Sequence, residues 1–223
     1  MLYLLLIVPA VLLSLYAQFK IRSTFKKYSL VINSLGLTGA DVAKTVLNKQ
    51  GIFDIKVEMV DGFLTDHYDP SSKTIKLSSN VYTGASLSSI GVAAHETGHA
   101  IQHSSTYLPL NIRLKTVYVA NFGVWMALPI IILGLIFDIS GLTLFGICIF
   151  FIVIGFQVIT LPVEFNASKR ALDILANGFL TSDEVLQTKK ILDAAALTYV
   201  AAATTSIAEL IRYIVAFLSG KDD

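Results

Sequence analysis

The stretch AAHETGHAIQHSS, residues 93–105, holds three of the four histidines of the chain within nine residues. They are His95, His99 and His103, and Glu96 directly follows the first of them. Imidazole nitrogens are common zinc ligands, and a carboxylate beside such a site can take a proton from water. These residue types indicate metal-assisted hydrolysis. The simpler alternative is a helix whose histidines are at the surface or packed in the core.

The spacing of these residues decides which of them can share an ion. On an α-helix, positions i and i+4 lie about 40° apart around the axis and about 6 Å apart along it. His95 and His99 can therefore both place a nitrogen about 2.0–2.1 Å from one zinc ion. Glu96 points to the neighbouring part of the helix surface, where it can hold water. This is the division of labour in the His-Glu-x-x-His pattern of zinc hydrolases.

A third ligand is needed, and His103 is a poor candidate for it. His103 lies at i+8 from His95, about 12 Å along the axis, and no glycine turn precedes it to fold the chain back. We interpret it as a residue of the helix C-terminus. The preferred third ligand is Glu164, in LPVEFNASKRALDIL, where Pro162 is expected to open a helix with Glu164 in its first turn.

The composition points to a membrane protein. The apolar fraction is 54% and the mean hydropathy is +0.68, while 17 basic against 16 acidic residues exclude the global basic excess of a nucleic-acid-binding protein. Residues 1–19 carry no charged side chain, and Lys20 and other basic residues follow them rather than precede them. That order is the reverse of a cleaved signal peptide, so residues 1–19 are predicted to be a retained transmembrane anchor.

A second apolar tract, residues 117–161, is predicted to be a transmembrane helical hairpin turning at Asp138. Basic residues flank the outer ends of the spans and are missing from the Asp138 loop. The positive-inside rule therefore places residues 28–116 and 162–197 in the cytoplasm of a multi-pass cell-membrane protein. Residues 198–218 form a last apolar helix containing Glu209 and Arg212 at i, i+3 spacing. It either crosses the membrane or lies at its surface.

The polar segment 28–116 has signals for both helices and strands. Thr38 is placed to cap one helix, and Ser86 or Ser88 to cap the helix with the histidines. A hairpin is expected around residues 69–72, and the strand TIKLS, residues 74–78, is expected at the sheet edge, where a peptide could bind. The fold class is therefore α+β, mainly α, with a small β-sheet beside the histidine helix in an integral membrane, zincin-like protein.

Four segments carry a resemblance over nearly the whole chain: AAHETGHAIQ, DHYDPSSKTIKLS, LPVEFNASKRAL and LDAAALTYVAAA. Together they resemble the YugP-like family of membrane-bound neutral zinc metallopeptidases of bacteria. The resemblance implies a gluzincin-type site with one Zn²⁺ on His95, His99 and Glu164, completed by residues 162–197, and with Glu96 as general base.

The order of segments is also similar to HtpX-type membrane proteases. Those proteins typically have an aspartate four residues after the glutamate ligand, where this chain has Ser168. Asn166 or Asp173 is then expected to support a ligand histidine.

The expected function is hydrolysis of peptide bonds by a membrane-bound zinc endopeptidase. His67, Tyr68 and Tyr199 are candidates by residue type for the second donor to the oxyanion. The rival hypothesis is a non-catalytic zinc-containing membrane scaffold or regulatory partner protein, which would have no use for Glu96. An intramembrane protease is disfavoured because the histidine helix is too polar for lipid. The expected partners are a peptide or protein substrate and the bilayer, with no nucleic acid; a homo-oligomer or a membrane partner stays open.

Overall fold

A computed structural model describes residues 2–219, with side chains from residue 4 onward. Within them the chain runs through α1 (Leu2–Tyr28), α2 (Gly39–Lys49), β1 (Lys56–Val60), β2 (His67–Asp69), β3 (Thr74–Ser78), α3 (Ser79–Tyr82), α4 (Leu87–Ser104), α5 (Leu108–Ile136), α6 (Ser140–Ala176) and α7 (Ser182–Ser219). The expected class is confirmed: a mainly helical α+β membrane protein with one small sheet.

Four helices, α1, α5, α6 and α7, are long and apolar enough to cross a membrane. α5 and α6 form the expected hairpin, which turns at Asp138 with a φ of 53°. α1 and α7 run antiparallel, and the Ser14 and Thr205 hydroxyls form a hydrogen bond of 3.0 Å between them. α7 is among the candidate spans, and its Glu209 accepts a hydrogen bond from Arg212 Nε at 2.7 Å, as the i, i+3 spacing predicted.

The expected helix start at Pro162 is wrong, because α6 runs without a break from Ser140 to Ala176 and contains Pro162. Proline removes one backbone N–H but is tolerated in long membrane helices. At 1.5 Å per residue, α6 is about 55 Å long, well beyond a hydrocarbon core of about 30 Å. Its second half therefore extends out of the apolar region and carries Glu164 to the polar domain. α7 likewise continues through the predicted boundary at residues 197–198.

The sheet has the strand order β1-β3-β2, with β3 parallel to β1 and antiparallel to β2. The hairpin around residues 69–72 is confirmed. The expectation that residues 74–78 form an edge strand is wrong, because β3 is the central strand and its Ile75 and Leu77 are fully buried. The edges are β1 and β2, and β2 is the edge beside α4.

α4, which carries the histidines, lies at the centre of the polar domain. The Ser86 side chain caps it by accepting the Ser89 N–H, which settles the choice between Ser86 and Ser88. Thr38 caps α2 in a reciprocal capping box with Asp41, as expected. α4 packs on the sheet and α2 through a core that includes Leu87, Ile90, and small alanines such as Ala94. This helix is therefore fixed on most of its surface.

Candidate metal centre

Gly98 lets α4 and α6 approach at backbone distance. A Cβ atom at this position would lie 2.8 Å from the carbonyl oxygen of Ala167, which is closer than such contacts occur. The crossing places Glu164, one turn before Ala167, opposite the histidine face of α4. The helical arrangement inferred from the sequence is confirmed, and Gly98 is the residue that permits this close packing.

Three side chains converge at this crossing. Glu164 Oε2 lies 3.3 Å from His95 Nε2 and 3.5 Å from His99 Nε2. One potential ligand atom from each residue lies within 4.8 Å of the others, and they form the metal-compatible group of His, Cys, Asp and Glu among residues 2–219. The prediction that His95, His99 and Glu164 lie together is confirmed, and His103 is outside the group.

The donor set fits a zinc ion. Ligands about 2.0–2.1 Å from a tetrahedral ion stand about 3.4 Å apart, close to both observed separations. Glu164 Oε2 is buried and has no hydrogen-bond partner among the described residues. A buried carboxylate oxygen without a donor is costly, and a cation between it and the two imidazoles would satisfy it.

The tautomer of His99 follows from its neighbours. Gln102 Nε2 donates to the Val163 carbonyl at 2.8 Å, and this directs the amide oxygen of Gln102 to His99 Nδ1 at 3.0 Å. Since an amide oxygen only accepts, Nδ1 of His99 carries the hydrogen. Nε2 of the neutral ring then presents a lone pair to Glu164, as a metal ligand must.

His95 is held by the residue that the family comparison left in doubt. Ser168 Oγ lies 3.2 Å from His95 Nδ1, so this serine supports the ligand from the position of the expected aspartate. Asn166 acts more remotely, since its Oδ1 accepts from Gln102 Nε2 at 3.0 Å. Asp173 is exposed, two turns beyond Asn166, and its expected supporting role stays a prediction.

Sequence reasoning missed Gln102, Ser168 and Arg113. Arg113 Nη1, from the start of α5, donates to Glu164 Oε1 at 2.8 Å. One carboxylate oxygen is thus occupied by a guanidinium while the other faces the histidines. The i+3 spacing of Gln102 from His99 could have predicted their contact on one helix face. The contact of Arg113 with Glu164 depends instead on the direction of α5 relative to α4.

Glu96 is buried beside the histidines but is not part of the metal-compatible group. Its Oε2 accepts the backbone N–H of Tyr68, in strand β2, at 3.0 Å. Burial raises the pKa of Glu96 to about 7, and the nearby His95 opposes that shift. Asp66 is half-buried, and this desolvation raises the pKa of its carboxyl, whose Oδ1 accepts the Ser78 N–H at 2.7 Å.

Two cavities meet at Glu96. One, of about 210 Å³, is lined by the candidate metal ligands His99 and Glu164 and by His67, Tyr68, Arg113 and Tyr199. The other, of about 250 Å³, extends toward α1 and α7 past Gln18, Leu64 and Thr198. Asp66, Glu96 and Tyr199 line both cavities. A polypeptide crossing from one cavity to the other would pass the buried carboxyl.

The three aromatic candidates for an oxyanion donor, His67, Tyr68 and Tyr199, all line the first of these cavities, but their hydrogen bonds differ. The Tyr68 hydroxyl is 2.8 Å from His103 Nδ1, which ties both side chains to each other. His67 Nδ1 donates to the Thr65 carbonyl at 2.8 Å, and its ring is exposed. Tyr199, on α7, lines the same cavity as His67 and Tyr68. The polar contact of His103 is with Tyr68 rather than with the metal group.

These features define a membrane protein with a His₂Glu group and an adjacent buried glutamate. The chain belongs to the family described as "Putative neutral zinc metallopeptidase", whose sequence profile matches residues 3–218.

It is also 46% identical over 224 residues to the "Putative membrane protease YugP" of Bacillus subtilis (strain 168), and the match covers 100% of both chains. No solved structure gave a significant match. The resemblance inferred from the sequence segments is confirmed.

Proposed function

We propose that this protein is a membrane-bound zinc endopeptidase. The observation that carries the proposal is the buried, unpartnered Oε2 of Glu164 facing the Nε2 atoms of His95 and His99, next to a buried carboxyl that is not a ligand. Zinc, when bound, supplies Lewis acidity that makes water a nucleophile at neutral pH and polarises a substrate carbonyl. The family description and the name of the Bacillus relative support the same class of activity.

The protein residues divide into those that hold the ion and those that handle the proton. His95, His99 and Glu164 supply three ligand atoms, which leaves a fourth tetrahedral position for water. Arg113 donates to the Oε1 atom of Glu164, so Oε2 is the oxygen that would hold the ion. Glu96 takes the proton as water attacks the peptide carbonyl and then delivers it to the leaving amine. The Tyr68 N–H fixes Glu96 while leaving its other oxygen free for that work.

The substrate is proposed to lie extended along β2, the outer strand beside α4. An edge strand offers unpaired backbone groups to a peptide, and Glu96 is attached to this strand through Tyr68. His67 and Tyr199 line the cleft on opposite sides and are the proposed sources of a second oxyanion donor. The catalytic segment is proposed to face the cytoplasm, because basic residues flank the spans on that side.

A zinc scaffold without activity is the second candidate. The features of the site do not favour this scaffold, since a structural zinc has four protein ligands and needs no base. Among residues 2–219 the group has three.

The zinc content of purified full-length variants tests the ligand assignment. We expect about one zinc per chain in the parent, loss of the metal in His95→Ala, His99→Ala and Glu164→Ala, and retention in His103→Ala. Zinc-dependent cleavage of an unfolded protein substrate should follow the metal content. Loss of zinc from His103→Ala as complete as that from His99→Ala would contradict the proposed site.

A further inference from the structure

A groove separate from the metal centre lies between α1 and α7, beyond the apolar part of both helices. α1 contributes Lys20, Ser23, Thr24 and Lys27, at the i, i+3, i+4 and i+7 positions of one helical stripe. α7 contributes the matching stripe of Lys190, Asp193, Ala194 and Leu197. The cavity has a volume of about 550 Å³, within the usual range of ligand sites.

The charges of this groove are unbalanced. Lys20, Lys27 and Lys190 form no ion pair among the described residues, while Asp193 is already paired with Lys189 at 2.5 Å. Lys27 also lies over the Tyr28 ring, with Nζ 5.4 Å from its centroid. The hydroxyl of Thr24, on the groove floor, makes no hydrogen bond within residues 2–219 and is free to donate. The Ser23 hydroxyl donates to the Lys20 carbonyl at 3.1 Å, so the groove presents three ammonium groups and the Thr24 hydroxyl to an anion.

The location of the groove suggests which anion it takes. Lys20 is the first charged residue after 19 uncharged ones, and on α7 no charged residue occurs between Asp193 and Glu209. Since the two helices are antiparallel, Leu197 lies toward the apolar end with Lys20, whereas Lys190 lies toward the polar end with Lys27. A ligand in this groove would have an apolar part at one end and an anionic part at the other.

We propose that the α1–α7 groove binds the phosphate headgroup of an anionic phospholipid. Lys27 and Lys190 contact the phosphate, and the glycerol and acyl region follows Ala194 and Leu197 into the bilayer. Arg22 and Lys26 face away, toward a different cavity beside α3 and α4. The site therefore differs from a general basic flank, because it requires one lysine from α7. This inference goes beyond the peptidase proposal and does not depend on it.

Lipid competition in native mass spectrometry tests the site. Full-length protein would be reconstituted with equal amounts of phosphatidylglycerol and phosphatidylcholine, and the retained lipids counted. We expect phosphatidylglycerol to be enriched on the parent protein. Lys27→Gln/Lys190→Gln should bind it roughly 25-fold more weakly, at about five-fold for each lysine near a membrane surface.

The matched control is Arg22→Gln/Lys26→Gln, which also removes two positive charges from the end of the first span but from another face of α1. It should retain the enrichment, and Lys27→Arg/Lys190→Arg should restore it. Equal loss of phosphatidylglycerol enrichment in the two double Gln variants would overturn the proposed binding site, because it would indicate diffuse electrostatic attraction instead. Competition by inorganic phosphate as strong as by the lipid would overturn the assignment to a phospholipid.

Discussion

The two histidines of the proposed metal site, His99 and His95, are held through their Nδ1 atoms by different residues, Gln102 and Ser168. The support of His99 is the more rigid. Gln102 is fully buried, and its amide group makes hydrogen bonds to His99, the Val163 carbonyl and Asn166. These contacts determine the tautomer that leaves Nε2 free to bind a metal.

We therefore expect Gln102→Leu to weaken zinc binding by roughly 10- to 100-fold, the usual cost of losing a partner of a ligand histidine. Leucine fills a similar volume, so the effect should arise from the lost hydrogen bonds rather than from a cavity. Competition with a zinc-sensitive chelating dye measures it.

Gln157→Leu is the control for this change. Gln157 lies on α6, and its Oε1 is buried without a hydrogen-bond partner in the described part of the chain. Removing this amide should leave the zinc affinity unchanged. Equal affinities in the parent and Gln102→Leu would show that His99 is held by packing alone.

At the scale of elements, the site depends on the crossing of α4 and α6 at Gly98 and Ala167. Gly98→Ala places a methyl group against a backbone carbonyl that cannot rotate away. We expect this change to cost about 1–3 kcal/mol of stability and to separate Glu164 from the histidines, lowering zinc content.

Gly155→Ala is the matched change on α6, since a Cβ there meets nothing within 4 Å. Thermal unfolding and zinc content of the two variants should differ clearly, with Gly155→Ala like the parent. A Gly98→Ala protein with full stability and full zinc would mean that the helices adjust freely at the crossing.

Local signals predicted the histidine helix, its cap at Ser86 or Ser88, the Thr38 cap and the hairpin at residues 69–72, because each depends on residues close in sequence. The pairing of β3 with β1 is parallel and joins segments separated by β2, so the central position of β3 was not visible locally. The predicted helix start at Pro162 was wrong for the opposite reason. It carries a strong local signal for a helix start, but the packing of a long membrane helix overrides that signal.

The clustering of His95, His99 and Glu164 was predictable because zinc chemistry limits the choice of ligands to a few residue types. The supporting contacts of Ser168 and Arg113 were not, since they depend on the register of α6 against α4 and on where α5 begins.

At the scale of the whole molecule, the proposed orientation places Ser72 and Ser140 on opposite sides of the membrane. Ser140 begins α6 at the hairpin turn, and Ser72 lies in the turn between β2 and β3; both are exposed. With Cys148 replaced by alanine, an impermeant thiol reagent added to intact cells should label Ser140→Cys and spare Ser72→Cys. Labelling both after lysis is the control for accessibility. Labelling of Ser72→Cys in intact cells would reverse the proposed orientation.

The central claim, that the site is catalytic, is tested most directly by Glu96→Gln. The amide has nearly the same volume as the carboxyl, still accepts the Tyr68 N–H through its oxygen, and leaves His95, His99 and Glu164 untouched. We expect the purified full-length variant to hold as much zinc as the parent. Its cleavage rate should fall by about 10² to 10⁴-fold, the usual contribution of a general base. A zinc-replete Glu96→Gln protein that cleaves as fast as the parent would contradict the claim.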